Sequence, residues 1–148
     1  NAGVDALLIV DLPPEEAISV REQLNPFGLQ LISLLAPTTV GQRLNNACQH
    51  AQGYLYYVSM AGVTGKGLEQ AGNLKDRIEQ IKSLSSVPVF VGFGIKDAET
   101  AKACAQFADG VIIGSALVAT LADCQTDKAC QEAVQAFIGP IRTAIDLV

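Results

Sequence analysis

Two short runs constrain this chain more than any other feature. Val89-Phe90-Val91-Gly92-Phe93-Gly94-Ile95 and, one strand–helix unit later, Gly110-Val111-Ile112-Ile113-Gly114-Ser115 are apolar, β-branched and stopped by small residues. An apolar run of strand length suits a strand covered on both faces, as in a parallel sheet. Glycine at its end lets backbone N–H groups approach a ligand closely. Two such ends side by side would make a cup of amide donors for a phosphate.

The rest of the chain repeats the alternation of strand and helix. Ala6–Val10 reads as a strand that ends at Asp11-Leu12-Pro13-Pro14. Glu15–Leu24 reads as a helix with prolines at its start and acids in its first turn. Leu29–Leu35 is the next strand, and Thr39 is placed to cap a helix from Val40 to about Gln52. Tyr54–Ser59 is the third strand, followed by a glycine-rich stretch from Met60 to Gly67. Leu68–Ser85 contains a helix, with a start after Gly72-Asn73 as one option. Val87–Val91 and Val111–Ile113 are the remaining strands. Asp97 should cap a helix over Asp97–Phe107 with Thr100 and Lys102 exposed, and Ser115 a short one over Ala116–Ala122. A last helix covers Asp127–Ile145, with a bend expected near Gly139-Pro140.

Such alternation specifies a single-domain α/β protein with a parallel sheet. It does not choose between a doubly wound sheet and a (β/α)8 barrel. Three features favour the barrel. No G-x-G-x-x-G opens the first helix. Strand ends carry different polar groups, as when every loop faces one site. A short extra helix follows the last strand, where barrels place a phosphate-binding helix.

Composition narrows the function. The 148 residues are 49% hydrophobic, enough for a substantial core, and carry a formal charge of −5. With no basic run, nucleic-acid binding is not expected. Apolar stretches are strand-sized, so no membrane span is expected, and nothing at the start resembles a signal peptide. Cys48, Cys104, Cys124 and Cys130 form no C-x-x-C pair, and His50 is far from three of them. They read as reduced thiols on helices of a cytoplasmic protein rather than metal ligands.

Each polar feature has a plain reading beside the functional one. Gly92-Phe93-Gly94-Ile95 alone is also a tight strand-to-helix turn; paired with Gly114-Ser115 it favours phosphate binding. Gly62-Val63-Thr64-Gly65-Lys66-Gly67 is a lid or a surface loop, and not a P-loop, because Gly67 follows the lysine. Asp11 faces a pocket or serves as a turn carboxylate. Tyr54 and Tyr56 share one face of their strand and Tyr57 the other, lining a pocket or filling a core. His50 reads as a solvated surface residue.

At this point the motifs become familiar. Gly3-Val4-Asp5-Ala6-Leu7-Leu8-Ile9-Val10-Asp11-Leu12-Pro13 resembles the fourth-strand motif of the tryptophan synthase alpha subunit family. Tyr54–Ser59 and Gly62-Val63-Thr64-Gly65 resemble its sixth strand and sixth loop, and Val91–Ile95 with Gly114-Ser115-Ala116 resemble its seventh- and eighth-strand phosphate motifs. The resemblance implies the C-terminal part, about strands four to eight, of a (β/α)8 barrel. It implies a lyase that cleaves indole-3-glycerol phosphate to indole and glyceraldehyde 3-phosphate. It implies a partner, a PLP-dependent beta subunit that receives the indole, and no cofactor on the alpha subunit itself. Carried over by motif, Gly94, Gly114 and Ser115 hold the phosphate, Gly92 and Phe93 shape its pocket, and Thr64 rides the lid. Tyr56 and Leu8 lie near the indole-glycerol body, and Asp11-Leu12-Pro13 near the beta-subunit interface.

The resemblance also marks a departure. The resemblance places the family's acid/base glutamate and the aspartate that polarises the indole nitrogen on the second strand and the loop after it, and this chain is expected to begin just before the fourth. No catalytic residue is therefore assigned within residues 1–148. The expectation is a polypeptide that is inactive alone and that self-associates through open strand edges. Two other readings are another phosphate-binding barrel, such as a ribose-phosphate isomerase, and a non-catalytic half-barrel assembly module.

Overall fold

The computed structural model describes residues 3–58, 67–92 and 94–148. Five strands pair in chain order, all parallel: β1 (Ala6–Leu8), β2 (Gln30–Leu35), β3 (Leu55–Val58), β4 (Val89–Gly92) and β5 (Gly110–Ile112). Among the described residues an α-helix follows each strand and two follow the last: α1 (Pro14–Leu24, continued by a 3-10 turn at Asn25–Phe27), α2 (Gly41–Gln49), α3 (Gly67–Leu84), α4 (Ala98–Ala105), α5 (Ser115–Leu121) and α6 (Asp127–Ile145). Parallel neighbours need such crossovers, because a hairpin cannot return the chain to the same end.

The sheet has one dry face. Leu35, Leu55, Tyr57, Val89 and Val91 are 0–4% exposed and join one cluster with Leu44 of α2, Ile78 and Ile81 of α3 and Ile141 of α6. Pleating sends alternate residues to the opposite face, where Leu34, Tyr56 and Phe90 stand in register and are only half-buried. Burying a side chain such as Ile78 contributes about 1.5–3 kcal/mol, so the helix-covered face supplies most of the packing energy.

Element ends differ from the sequence-based expectation where side chains compete with the backbone. Val40, not Thr39, occupies the cap of α2, and it makes no side-chain bond. The Thr39 hydroxyl instead accepts from the Ala36 amide at 3.1 Å and closes the preceding turn. That helix ends at Gln49, and Gln52 is spent bridging the Leu31 amide and Asn25. Helix α3 runs from Gly67 through Gly72-Asn73. A mid-helix glycine costs about 1 kcal/mol, less than the burial of Leu74, Ile78 and Ile81 on one face. Asp97 caps α4 as expected, in a capping box with Thr100. That box turns Thr100 inward, to 6% exposed rather than solvated. Ser115 is the first residue of α5, not its cap; Gly114 takes the cap position without a side-chain bond. Cys124 lies in the turn between α5 and α6 rather than on a helix. Helix α6 continues through Pro140, and the Thr143 hydroxyl donates to Gly139 O at 3.1 Å.

Candidate functional site at the carboxyl ends of β4 and β5

The register of the last two strands sets the site. Gly92 pairs with Ile112, so Gly94 and Gly114 lie two residues beyond the same level on neighbouring strands, which are spaced about 4.8 Å apart. A residue that the sequence reading did not single out holds this register. Asp109 Oδ2 accepts the Val89 amide at 2.8 Å, and its own amide donates to Val89 O at 2.9 Å. Its other oxygen meets Lys82 Nζ of α3 at 2.6 Å. Burial works against the Asp109 charge, but the Lys82 and Val89 bonds outweigh it and hold the carboxyl below its usual range. Only the Asp-Gly dipeptide at the mouth of the strand hinted at it.

Gly92 is needed for a reason outside its own strand. A Cβ placed there would stand 2.5 Å from Tyr56 Cε2 and 2.6 Å from its Oη. The Tyr56 ring therefore lies across the backbone of β4, at the threshold of the Gly94 turn. Burial, and then the neighbouring Tyr54, push the Tyr56 phenol above its ordinary value, so it is a neutral donor at physiological pH. Its hydroxyl has no bonding partner among the described residues. Tyr54 stacks on Phe90 with ring centroids 4.7 Å apart. Tyr57 is buried on the helix side, so the two faces divide the tyrosines as strand periodicity requires.

The two turns differ in what they leave open. Gly94 has φ +75°, a left-handed conformation suited to glycine. Beyond it Ile95 is buried and anchors the turn. The amides of Lys96 and Asp97 are taken by Thr100 Oγ1 at 3.2 and 3.3 Å. Those of Gly94 and Ile95 have no partner among the described residues. At the second turn, α5 starts at exposed Ser115 with no side-chain cap on its first amides. The structure thus brings Tyr56, Gly92, Gly94, Gly114 and Ser115 to one end of three adjacent strands. Leu8 is apart from them, at the end of the edge strand β1, paired with Ile32 and 37% exposed. Thr64, with its loop, and Phe93 lie outside the described residues. Asp11 and His50 are exposed. Among the described residues no three metal-ligating side chains converge, and all four cysteines are free.

A parallel sheet in chain order with one helix-covered face, an open opposite face and a site at its carboxyl ends is the architecture of part of a (β/α)8 barrel. A family model described as tryptophan synthase alpha chain matches residues 1–146. The chain belongs to that family. It is 52% identical over 146 residues to a tryptophan synthase alpha chain of Xanthomonas oryzae pv. oryzae (strain MAFF 311018), covering 98% of this chain and 54% of the relative. The corresponding protein of Xylella fastidiosa (strain M12) is 50% identical over 148 residues, with 99% and 55% covered. Among solved structures, the tryptophan synthase alpha chain of Legionella pneumophila subsp. pneumophila superposes with a TM-score of 0.82 at 44% identity, over 99% of this chain and 54% of that one. The chain therefore spans about half the length of the curated relatives it matches. Among the described residues no helix is long and apolar enough to cross a membrane.

Proposed function

We propose that residues 1–148 form the phosphate-holding part of a cytoplasmic lyase of tryptophan biosynthesis that splits indole-3-glycerol phosphate into indole and glyceraldehyde 3-phosphate. The observation that carries this reading is the side-by-side placement of the Gly94 and Gly114-Ser115 turns beyond Gly92 and Ile112. Membership of the tryptophan synthase alpha chain family supports this reading of the substrate. In this reading the amides at Gly94, Gly114 and Ser115, with the Ser115 hydroxyl, bind the phosphate. Gly92 gives Tyr56 its place, Phe93 shapes the pocket, and Tyr56 and Leu8 flank the indole-glycerol body. Thr64 belongs to the covering loop. The alpha chain uses no cofactor of its own; PLP belongs to the beta subunit, which takes the indole and docks near Asp11-Leu12-Pro13. Proton transfer to the indole ring needs a placed acid, which in this reading comes from outside residues 1–148.

The test separates binding from chemistry. In the whole polypeptide carrying these residues, Ser115→Ala should raise KM for indole-3-glycerol phosphate about tenfold with kcat little changed, the effect of losing one charge-assisted hydrogen bond. Gly94→Ala should do the same or more, because φ +75° strains any side chain. The polypeptide 1–148 by itself should show no turnover. Cleavage by that polypeptide, or unchanged KM in both variants, would overturn the proposal.

A further inference from the structure

The strand-end site leaves one buried charge unexplained. Between α1 and α2 lies a cavity of about 290 Å³, floored by Leu31 and Ser33 of β2 and walled by Ala17, Ile18 and Ala47. Arg21 of α1 stands in it and also lines an adjoining, more open groove of about 340 Å³ that reaches His50 and Gln52. Arg21 is 9% exposed. Its Nη2 donates to Ser33 Oγ at 2.8 Å, and its Nε is buried without a partner. None of its other donors is bonded among the described residues. No carboxylate there pairs with it either. Glu15, which shares the cavity, is turned to Arg43 at 3.0 Å, and Glu22 on the open groove forms no described ion pair. A guanidinium stays charged in a protein, and an unpaired buried charge is costly. Burial lowers its pKa, the expected mark of that cost.

We propose that the α1–α2 cleft binds a small carboxylate with an apolar body, the carboxylate on Arg21 and the body against Ile18, Leu31 and Ala47. One positive charge balances a monoanion. Glu15, whose own carboxyl is held below its usual range, disfavours a dianion such as phosphate. The apolar walls favour a hydrocarbon body, and the volume suits a molecule of about a single ring. The cleft lies in the helix layer, away from the glycine turns, so this site is independent of the function proposed above.

Backbone-amide NMR titration of the whole polypeptide carrying residues 1–148 tests it, with benzoate, benzyl alcohol and inorganic phosphate as probes. Benzoate should give saturable shifts confined to α1, β2 and α2. Benzyl alcohol and phosphate should bind there at least tenfold more weakly. Arg21→Gln should weaken benzoate at least tenfold. Ser33→Ala, which keeps the charge and removes only its tether, should weaken it severalfold. If Arg21→Gln does not fold, the wild-type preference for benzoate over benzyl alcohol decides alone. No saturable shift in this cleft, equal binding of benzyl alcohol, or preference for phosphate would overturn the proposal. Phosphate-induced shifts at Gly94 and Gly114 would concern the strand-end site instead.

Discussion

A methyl group at position 92 would meet the Tyr56 ring at 2.5–2.9 Å, closer than real carbon contacts allow. Gly92→Ala should therefore displace that ring and cost about 1–3 kcal/mol, as overpacking does, read by urea unfolding. Combining it with Tyr56→Ala should recover about 1 kcal/mol of that loss through the pairwise coupling; strictly additive effects would refute the steric account. The glycine stops were legible in the sequence, but this reason for Gly92 was not, because the obstructing ring belongs to another strand and arrives through pairing register. Arg21 escaped for a similar cause: nothing local distinguishes a buried helix arginine from a solvated one. The thiols separate by burial. Cys104 is enclosed and pushed up to about 11 by desolvation, and Cys48 is likewise buried. Under native conditions iodoacetamide should label Cys124 or Cys130 well before either, which peptide mapping would check.

Among the elements, the β4–β5 pair depends on Asp109 and α4 on its capping box. Asp109 has a folded pKa below its ordinary value, which is about 3.9. Its stabilisation is full above the ordinary value and is lost as pH falls through the lower folded one. Asp109→Asn keeps an acceptor for the Val89 amide and loses the Lys82 charge pair. The stability gap between wild type and this variant should be widest near about pH 6 and shrink below about pH 4. A gap constant with pH in urea titrations would count against the assignment. Asp97→Ala should cost about 1 kcal/mol by removing the α4 cap, measured the same way. Among the described residues sequence patterning located the five strands and six α-helices, because apolar periodicity is a local signal; it read the 3-10 turn at Asn25–Phe27 only as a stop. It erred at ends such as Thr39 and Ser115, where a hydroxyl can serve either a turn or a helix and only the tertiary path decides.

For the molecule as a whole, the uneven sheet is the main consequence. Its helix-covered face is dry, while Leu7, Leu8, Ile9 and Val10 at the β1 edge are 37–64% exposed and Tyr56 and Phe90 are only half-covered. Exposed apolar edges template pairing. The polypeptide 1–148 in isolation should associate with rising concentration in analytical ultracentrifugation; a monodisperse monomer with cooperative unfolding would refute this. Strand–helix alternation gave the α/β class, but only the motif order pointed to a barrel, since closure is a property of strands far apart in sequence.

The chain-order pairing of β1 to β5 bears on synthesis. Each strand docks on the one translated just before it, so the ribosome releases the sheet in the order in which it assembles. Among the described residues each strand pairs with its neighbours in chain order, so the contacts that close early are of short sequence separation. Among the described residues the last helix turns back, laying α6 on α4 over the dry face of the strands translated before it.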